Sequence, residues 1–338
     1  MSKALPMAEL WRGDLLESAH AGHAAVCDGS GRLVGAWGDP EAVIFPRSSC
    51  KMLQALPLVE SGAAEGLDSR RLALACASHE GAPVHVAGVA EWLADLGLGE
   101  GDLRCGPQPS RDRDLYLRMI REGEAPCQLH NNCSGKHAGF LMLNRHLGGN
   151  GEYVDPDHPV QRAVRAAFEE VTGEDSPGFG IDGCSAPNFA TTLRGLACAM
   201  ARFAAAGRGS GARDRAQARL TQAMVAHPDL VAGDGRACTE LMQATTEPVA
   251  IKTGAEGVFV AILPERGLGA ALKIVDGATR ASEAAMAALL VHLGVLDPAH
   301  PAAQRRMAAP ERSRAGRIVG GMRIAPGFPQ AGTNSSFA

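Results

Sequence analysis

Pro46-Arg47-Ser48-Ser49-Cys50-Lys51-Met52-Leu53-Gln54-Ala55-Leu56-Pro57 is the stretch from which the fold can be read. It joins two patterns. Before it, Ala42-Val43-Ile44-Phe45 is a short apolar run that reads as extended, and Pro46 ends it. After it, Met52, Leu53, Leu56 and Val59 recur at helical spacing. Ser48 falls at the helix entrance, where serine is a favoured N-cap. Lys51 is three residues on and lies on the same face one turn later. Pro57 is too deep for a first turn, so the spacing predicts a kink or break there.

Outward from this stretch the chain sorts by period. On the N-terminal side, residues 24–37 read as a β-hairpin. Asp28-Gly29-Ser30-Gly31 is its turn and Leu33-Val34-Gly35-Ala36-Trp37 its return strand. On the C-terminal side, from about 49 to 245, the period is mostly helical. Val84–Leu96, Leu115–Ile120, Gly139–His146 and Pro159–Val171 are predicted helices, as is a long apolar one over Asn188–Ala206. Near 249 strands return, at Val249–Gly254, Gly257–Ile262 and Gly269–Val275, and a helix follows over Ala281–Leu293. Pro301–Arg317 reads as a polar surface segment, and Ile318–Met322 as a last strand or a tail. The strands thus lie at about 8–45 and 249–325, and the helices at about 49–245. An α/β (α+β) fold accounts for this order. One antiparallel sheet is built from N- and C-terminal strands, a large helical lobe is inserted between them, and the whole is a single domain over 1–338.

Composition narrows the function. The 338 residues carry a formal net charge of -4 and no basic run, which argues against a nucleic-acid partner. Met1–Glu9 is too short and polar for a signal-peptide core. Arg194 and Arg202 interrupt the best apolar run before it reaches membrane-span length. The expectation is a cytoplasmic protein with no membrane partner. Its nine cysteines are then mostly buried thiols.

Several short motifs can carry chemistry. Ser48-x-x-Lys51 has the spacing of the serine nucleophile and lysine in penicillin-binding enzymes. A serine hydroxyl needs a nearby base, and a lysine can serve when its charge is disfavoured. Read without context, the same spacing is an N-cap followed by a solvated lysine. Lys252-Thr253-Gly254, on the first returning strand, matches the third motif of the same group. Ser78-His79-Glu80-Gly81 offers a second hydroxyl and an acid–base imidazole, or only a cap for the helix from 82. Asn132-Cys133-Ser134-Gly135-Lys136-His137 and Ile181-Asp182-Gly183-Cys184-Ser185-Ala186-Pro187 are small-residue polar loops before apolar runs. Two thiolates and a nitrogen from them could hold a zinc with one open position.

Taken in order, these blocks resemble the motif set of the rhizobial-type (class 3, thermolabile) L-asparaginases, from about residue 8 to 325. The resemblance implies a serine β-lactamase-like fold, shared in layout with serine glutaminases, and a homodimer. It also implies hydrolysis of L-asparagine to L-aspartate and ammonia. It places two Ser–Lys pairs in the site, Ser48 with Lys51 and Ser78 with Lys252. Zinc falls on Cys133, Lys136 and Cys184, and Asp182 matches an acid beside it. Arg47, His79, Asp182 and Gly254 are then expected at the substrate. Backbone N–H groups near Ser48 and Gly254 would hold the oxyanion. A lysine ligand must be deprotonated, so zinc binding would weaken on acidification. The rivals are a glutaminase or other small-molecule amidase, a β-lactamase or peptidase, and a non-catalytic zinc-binding protein.

Overall fold

The computed structural model describes residues 4–329, so Met1–Lys3 and the tail from Gln330 lie outside the described residues. In chain order, β1 (Leu5–Arg12), β2 (Leu15–Asp28), β3 (Leu33–Trp37) and β4 (Val43–Ile44) come first. Helices α1 (Lys51–Gln54), α2 (Leu56–Glu60), α3 (Ser69–Ala75), α4 (Pro83–Asp95), α5 (Arg113–Glu122), α6 (Ser134–Leu147) and α7 (Pro159–Thr172) follow. Next come β5 (Phe179–Ile181), β6 (Pro187–Phe189), β7 (Thr191–Thr192), α8 (Leu193–Ala205), α9 (Ala212–Ala226), α10 (Pro228–Val231) and α11 (Ala237–Ala244). The chain ends with β8 (Ala250–Thr253), β9 (Val258–Leu263), β10 (Leu268–Ile274), α12 (Thr279–His292), α13 (Pro301–Met307), β11 (Pro310–Arg312) and β12 (Ile318–Ile324).

The fold is mixed α/β, and it divides into two compact units. One comprises Met1–Ser49, Thr191–Ala205 and Glu240–Ala338; the other comprises Cys50–Ala190 and Ala206–Thr239. The first unit holds an antiparallel sheet in the order β11-β12-β1-β2-β10-β9-β8. Strand β2 is long enough for two partners on one edge: β1 pairs with residues 15–22 and β3 with residues 24–27. N-terminal and C-terminal strands therefore interleave, as their sequence positions imply. All six residues of β9 are buried, as expected of a strand covered on both faces. Helix α8 packs on β10, β2 and β9, and α12 on β1, β9 and β10. Gly269 of β10 allows the close approach of α8, since a Cβ there would collide with the backbone of Ala201.

The second unit is helical, with the short hairpin β5–β6. Helix α3 packs against α4, α6, α9 and α10. Asp68 caps it, accepting from the N–H of Arg71 at 2.8 Å. Gly135 brings the start of α6 against the end of α3, where a Cβ would collide with the carbonyl of Leu74.

Several local expectations change. The helix predicted over 188–206 begins only at Leu193. Residues 187–189 and 191–192 are strands instead, and the β-branched pair Thr191-Thr192 suits the extended backbone. Strand β4 does not join the main sheet but pairs with β7, which ties the approach to Ser48 to the entrance of α8. The polar segment 301–317 contains α13, with Pro301 in its first turn, and β11. Strand β1 and the first half of β2 fall in the stretch from about residue 8 expected to hold strands, although their own bounds were not drawn there. The break foreseen at Pro57 falls at Ala55, so Pro57 occupies the first turn of α2.

Candidate active site

The first unit carries the serine turn. Residues Arg47–Cys50 form a single 3-10 turn that runs directly into α1, so Ser48 lies one turn before Lys51. Ser48 is half-buried and inside this turn, not an N-cap: Cys50 precedes α1, without a side-chain cap. Arg47 has φ 52°, the left-handed region that a non-glycine residue seldom enters. Such a conformation persists only where the surroundings hold it. Ser49 is fully buried, and its hydroxyl donates to the carbonyl of Pro46 at 2.7 Å. The neighbouring serine is thus committed to holding the turn.

Gly254 fits against the same turn. A Cβ there would stand 2.6 Å from the Pro46 carbonyl oxygen and 3.2 Å from the Ser49 nitrogen. Only glycine lets the end of β8 lie so close. Its own N–H donates to Val258 O at 2.7 Å, and the N–H of Ser49 to Pro46 O at 3.2 Å. Neither of these two donors is therefore open to an oxyanion. Lys252, one residue before Thr253 on β8, is fully buried, and its Nζ donates to the carbonyl of Thr253 at 2.9 Å.

The second unit holds Lys51 and three of the motif blocks. Lys51 is buried, and its Nζ donates to the carbonyl of Ala77 and to that of Asn132 at 3.4 Å. The N–H of His79 donates to the same Asn132 carbonyl at 3.2 Å. The segments 76–79 and 131–134 are thereby joined beside Lys51. Ser78 is buried, and its hydroxyl has no hydrogen-bond partner among the described residues. An orphaned hydroxyl of this kind is uncommon and calls for a ligand, a water or a role. Ser78 does not cap α4; Ala82 holds that position and Pro83 opens the helix.

His79 is fully buried, with both ring nitrogens committed. Nδ1 accepts from the N–H of Gly81 at 3.1 Å, so Nε2 carries the proton and donates to Ser134 Oγ at 3.0 Å. Its ring stacks on His85, centroids 4.9 Å apart. Burial, with His85 and Lys51 nearby, holds its pKa well below the usual histidine value. This histidine braces the two segments and has no nitrogen left for substrate.

The cysteine loops meet in the same unit. Lys136 Nζ donates to Cys184 Sγ at 3.1 Å. Cys133, Lys136 and Cys184 are all buried. A hydrogen bond from Cys133, opposed by burial and helped by the charge of Lys136, holds Cys184 well below the usual thiol range. That bond and burial push the Cys133 thiol up. Burial opposes the charge on Lys136, but Cys184 and Cys133 outweigh it and its pKa rises. Cys184 sits in the turn of the β5–β6 hairpin, not before a helix. Half-buried Asp182 shapes that turn: its carboxylate accepts from Gly183 N–H at 2.8 Å and its carbonyl from Ser185 N–H at 2.8 Å. The donor set suits zinc. Two thiols and an amine converge, and the 3.1 Å between nitrogen and Cys184 sulfur compares with about 3.6 Å between such ligands on tetrahedral zinc. Among the described residues no three His, Cys, Asp or Glu side chains group to hold a metal.

Sequence reasoning missed the shell around this cluster. The thiols of Cys50 and Cys105 are buried beside Lys136, and burial pushes each up to about 12. Asn131 donates to the carbonyls of Cys105 and Gly106 at 2.9 and 3.0 Å, and Gln108 accepts from Asn132 N–H at 3.2 Å. Tyr153 OH lies 2.9 Å from His137 Nδ1. Cys50, Asn131 and His137 adjoin the motif residues in sequence, but Cys105, Gln108 and Tyr153 come from separate segments, and no local spacing announces those contacts.

The L-asparaginase II family profile matches residues 8–324. No curated protein sequence matches the chain. Among solved structures it is similar to Mglu in its native form, with a TM-score of 0.47 at 14% identity over 82% of this chain and 66% of that one. Mglu in its tris and glutamate form gives 0.44 at 14% identity, over 77% and 56%. A beta-lactamase from Mycobacterium bovis gives 0.42 at 15% identity, over 78% and 89%. The chain spans between 56% and 66% of Mglu's own length.

Proposed function

The chain belongs to the L-asparaginase II family, and on that premise we propose that it hydrolyses L-asparagine to L-aspartate and ammonia with Ser48 as nucleophile. Family membership indicates an L-asparagine amidohydrolase. The observation that carries the choice of serine is the commitment of Ser49 to Pro46, which leaves Ser48 as the hydroxyl one turn before Lys51. Ser48 attacks the side-chain amide carbon. In its neutral form the Lys51 amine has two N–H groups, as many as the carbonyls it meets, and its lone pair accepts the serine proton. Lys51 then returns a proton to departing ammonia, and water hydrolyses the aspartyl ester. Ser78 and Lys252 form the second pair in this reading and relay protons. Arg47 and Asp182 are expected at the substrate, Asp182 as the acid beside the metal.

Cys133, Lys136 and Cys184 would hold one zinc ion, which supplies a fixed positive charge for orienting substrate. Metal analysis of the wild type and of Cys133→Ser and Cys184→Ser tests this. About one zinc per chain is expected, lost in both variants, and equal content in all three proteins would refute it. A homodimer and a cytoplasmic setting complete the reading. Thiols in place of disulfides at all nine cysteines support a reducing compartment, and no helix among the described residues is long and apolar enough to cross a membrane. Light scattering of the purified chain tests the dimer. Ammonia release on L-asparagine, L-glutamine and a chromogenic β-lactam tests the activity. Turnover is expected on asparagine first; preferred turnover of glutamine or the lactam would replace this reading.

A further inference from the structure

Outside the motifs, the sheet unit holds a second pair of sulfurs. Cys27 lies near the end of β2 and Cys198 in the middle of α8, and both are buried. Their Sγ atoms are 2.6 Å apart, against about 2.05 Å for a formed disulfide. The packing sets this approach. Cys27 pairs in register with Gly269 of β10, so the two share a face, and the bare glycine opens that face to the backbone of α8. Gly29, two residues past Cys27, does the same further along: a Cβ there would stand 2.8 Å from Ala205 Cβ. The helix is therefore held down on either side of the pair. Cys198 also donates to the carbonyl of Gly31 at 3.4 Å, in the turn whose tip residues Gly29 and Ser30 are exposed.

We propose that Cys27 and Cys198 are a disulfide-forming pair that cross-links β2 to α8 when the protein meets hydrogen peroxide. One sulfur attacks a peroxide oxygen as its proton is lost. The O–O bond breaks, a sulfenic acid forms, and the displaced hydroxide takes up that proton and leaves as water. The second sulfur then attacks the sulfenic sulfur, the S–S bond forms, and the displaced hydroxide leaves with the second proton as water. Two thiols lose two electrons and two protons, and the peroxide accepts both. Each sulfur shares buried space with the other, which favours the intramolecular step over further oxidation. The cross-link closes a long loop and limits the unfolded chain, so it raises the melting temperature.

The test treats the reduced full-length chain with hydrogen peroxide, blocks remaining thiols with iodoacetamide and maps the peptides without reduction. A linked Cys27–Cys198 peptide is expected, reversed by dithiothreitol, together with a melting temperature higher by about 5 °C. Cys198→Ala should lack both the link and the rise while keeping wild-type turnover. If that variant does not fold, Cys27→Ala serves in its place. Separate alkylation or sulfinic acid at the two positions, or cross-links only among other cysteines, would overturn the proposal. So would a linked peptide with no gain in melting temperature.

Discussion

Ser48 and Ser49 are adjacent, and their environments differ. Ser49 is wholly buried with its hydroxyl on Pro46 O, so Ser49→Ala should cost about 1 kcal/mol of stability in a denaturant titration and leave turnover standing. Lys51→Met and Lys252→Met should each lower turnover about a hundredfold or more, the scale of a lost acid or base. A silent Lys252→Met would make the second pair structural. His79 gives a pH signature. Its folded pKa lies well below the unfolded value of about 6.5, so the unfolded chain binds the proton more readily. Stability is full above that unfolded value and falls as the pH drops below it. Burial lowers His85 too, and it adds to the slope in the same direction. Thermal melts from pH 7.5 to 5 should show the loss, and a melting temperature flat across that range would contradict it. The sequence pointed to His79 as a residue of the site. It could not reveal that Gly81 and Ser134 take both ring nitrogens, because those partners depend on how two loops are joined.

At the scale of elements, glycines fix the distances that matter. Gly135→Ala drives a methyl into the carbonyl of Leu74 and should cost about 1–3 kcal/mol, read as a lower denaturation midpoint with an unchanged slope. The same position shows what was legible. Asn132–His137 was recognisable as a small-residue loop entering a helix, and the helix is α6. That Gly135 sets the contact with α3 depends on a neighbour sixty residues away in sequence, which local periodicity does not carry. The strand over 249–254 and its lysine were readable from β-branched, apolar alternation. The helix drawn from 188 was not, because apolar continuity from Phe189 onward concealed two short strands.

For the whole molecule, the order strands, helices, strands was enough to place both chain ends in one antiparallel sheet, and β1–β2–β10–β9–β8 meets that expectation. The pattern did not show that α8 packs on the sheet, since a helix's period says which face is apolar and not what will cover it. The motif blocks were readable because their residues come at short fixed spacings, as in Ser48-x-x-Lys51 and Lys252-Thr253-Gly254. Cys50, Cys105 and Asn131 come together only through the fold, and no such spacing relates them to one another. The central claim is that the chain is an L-asparagine amidohydrolase acting through Ser48. Ammonia release from L-asparagine, compared among wild type, Ser48→Ala and Ser49→Ala at matched melting temperatures, tests it most directly. The account predicts turnover in wild type and Ser49→Ala and none in Ser48→Ala. Undiminished turnover in Ser48→Ala, or none in a well-folded wild type, would contradict it.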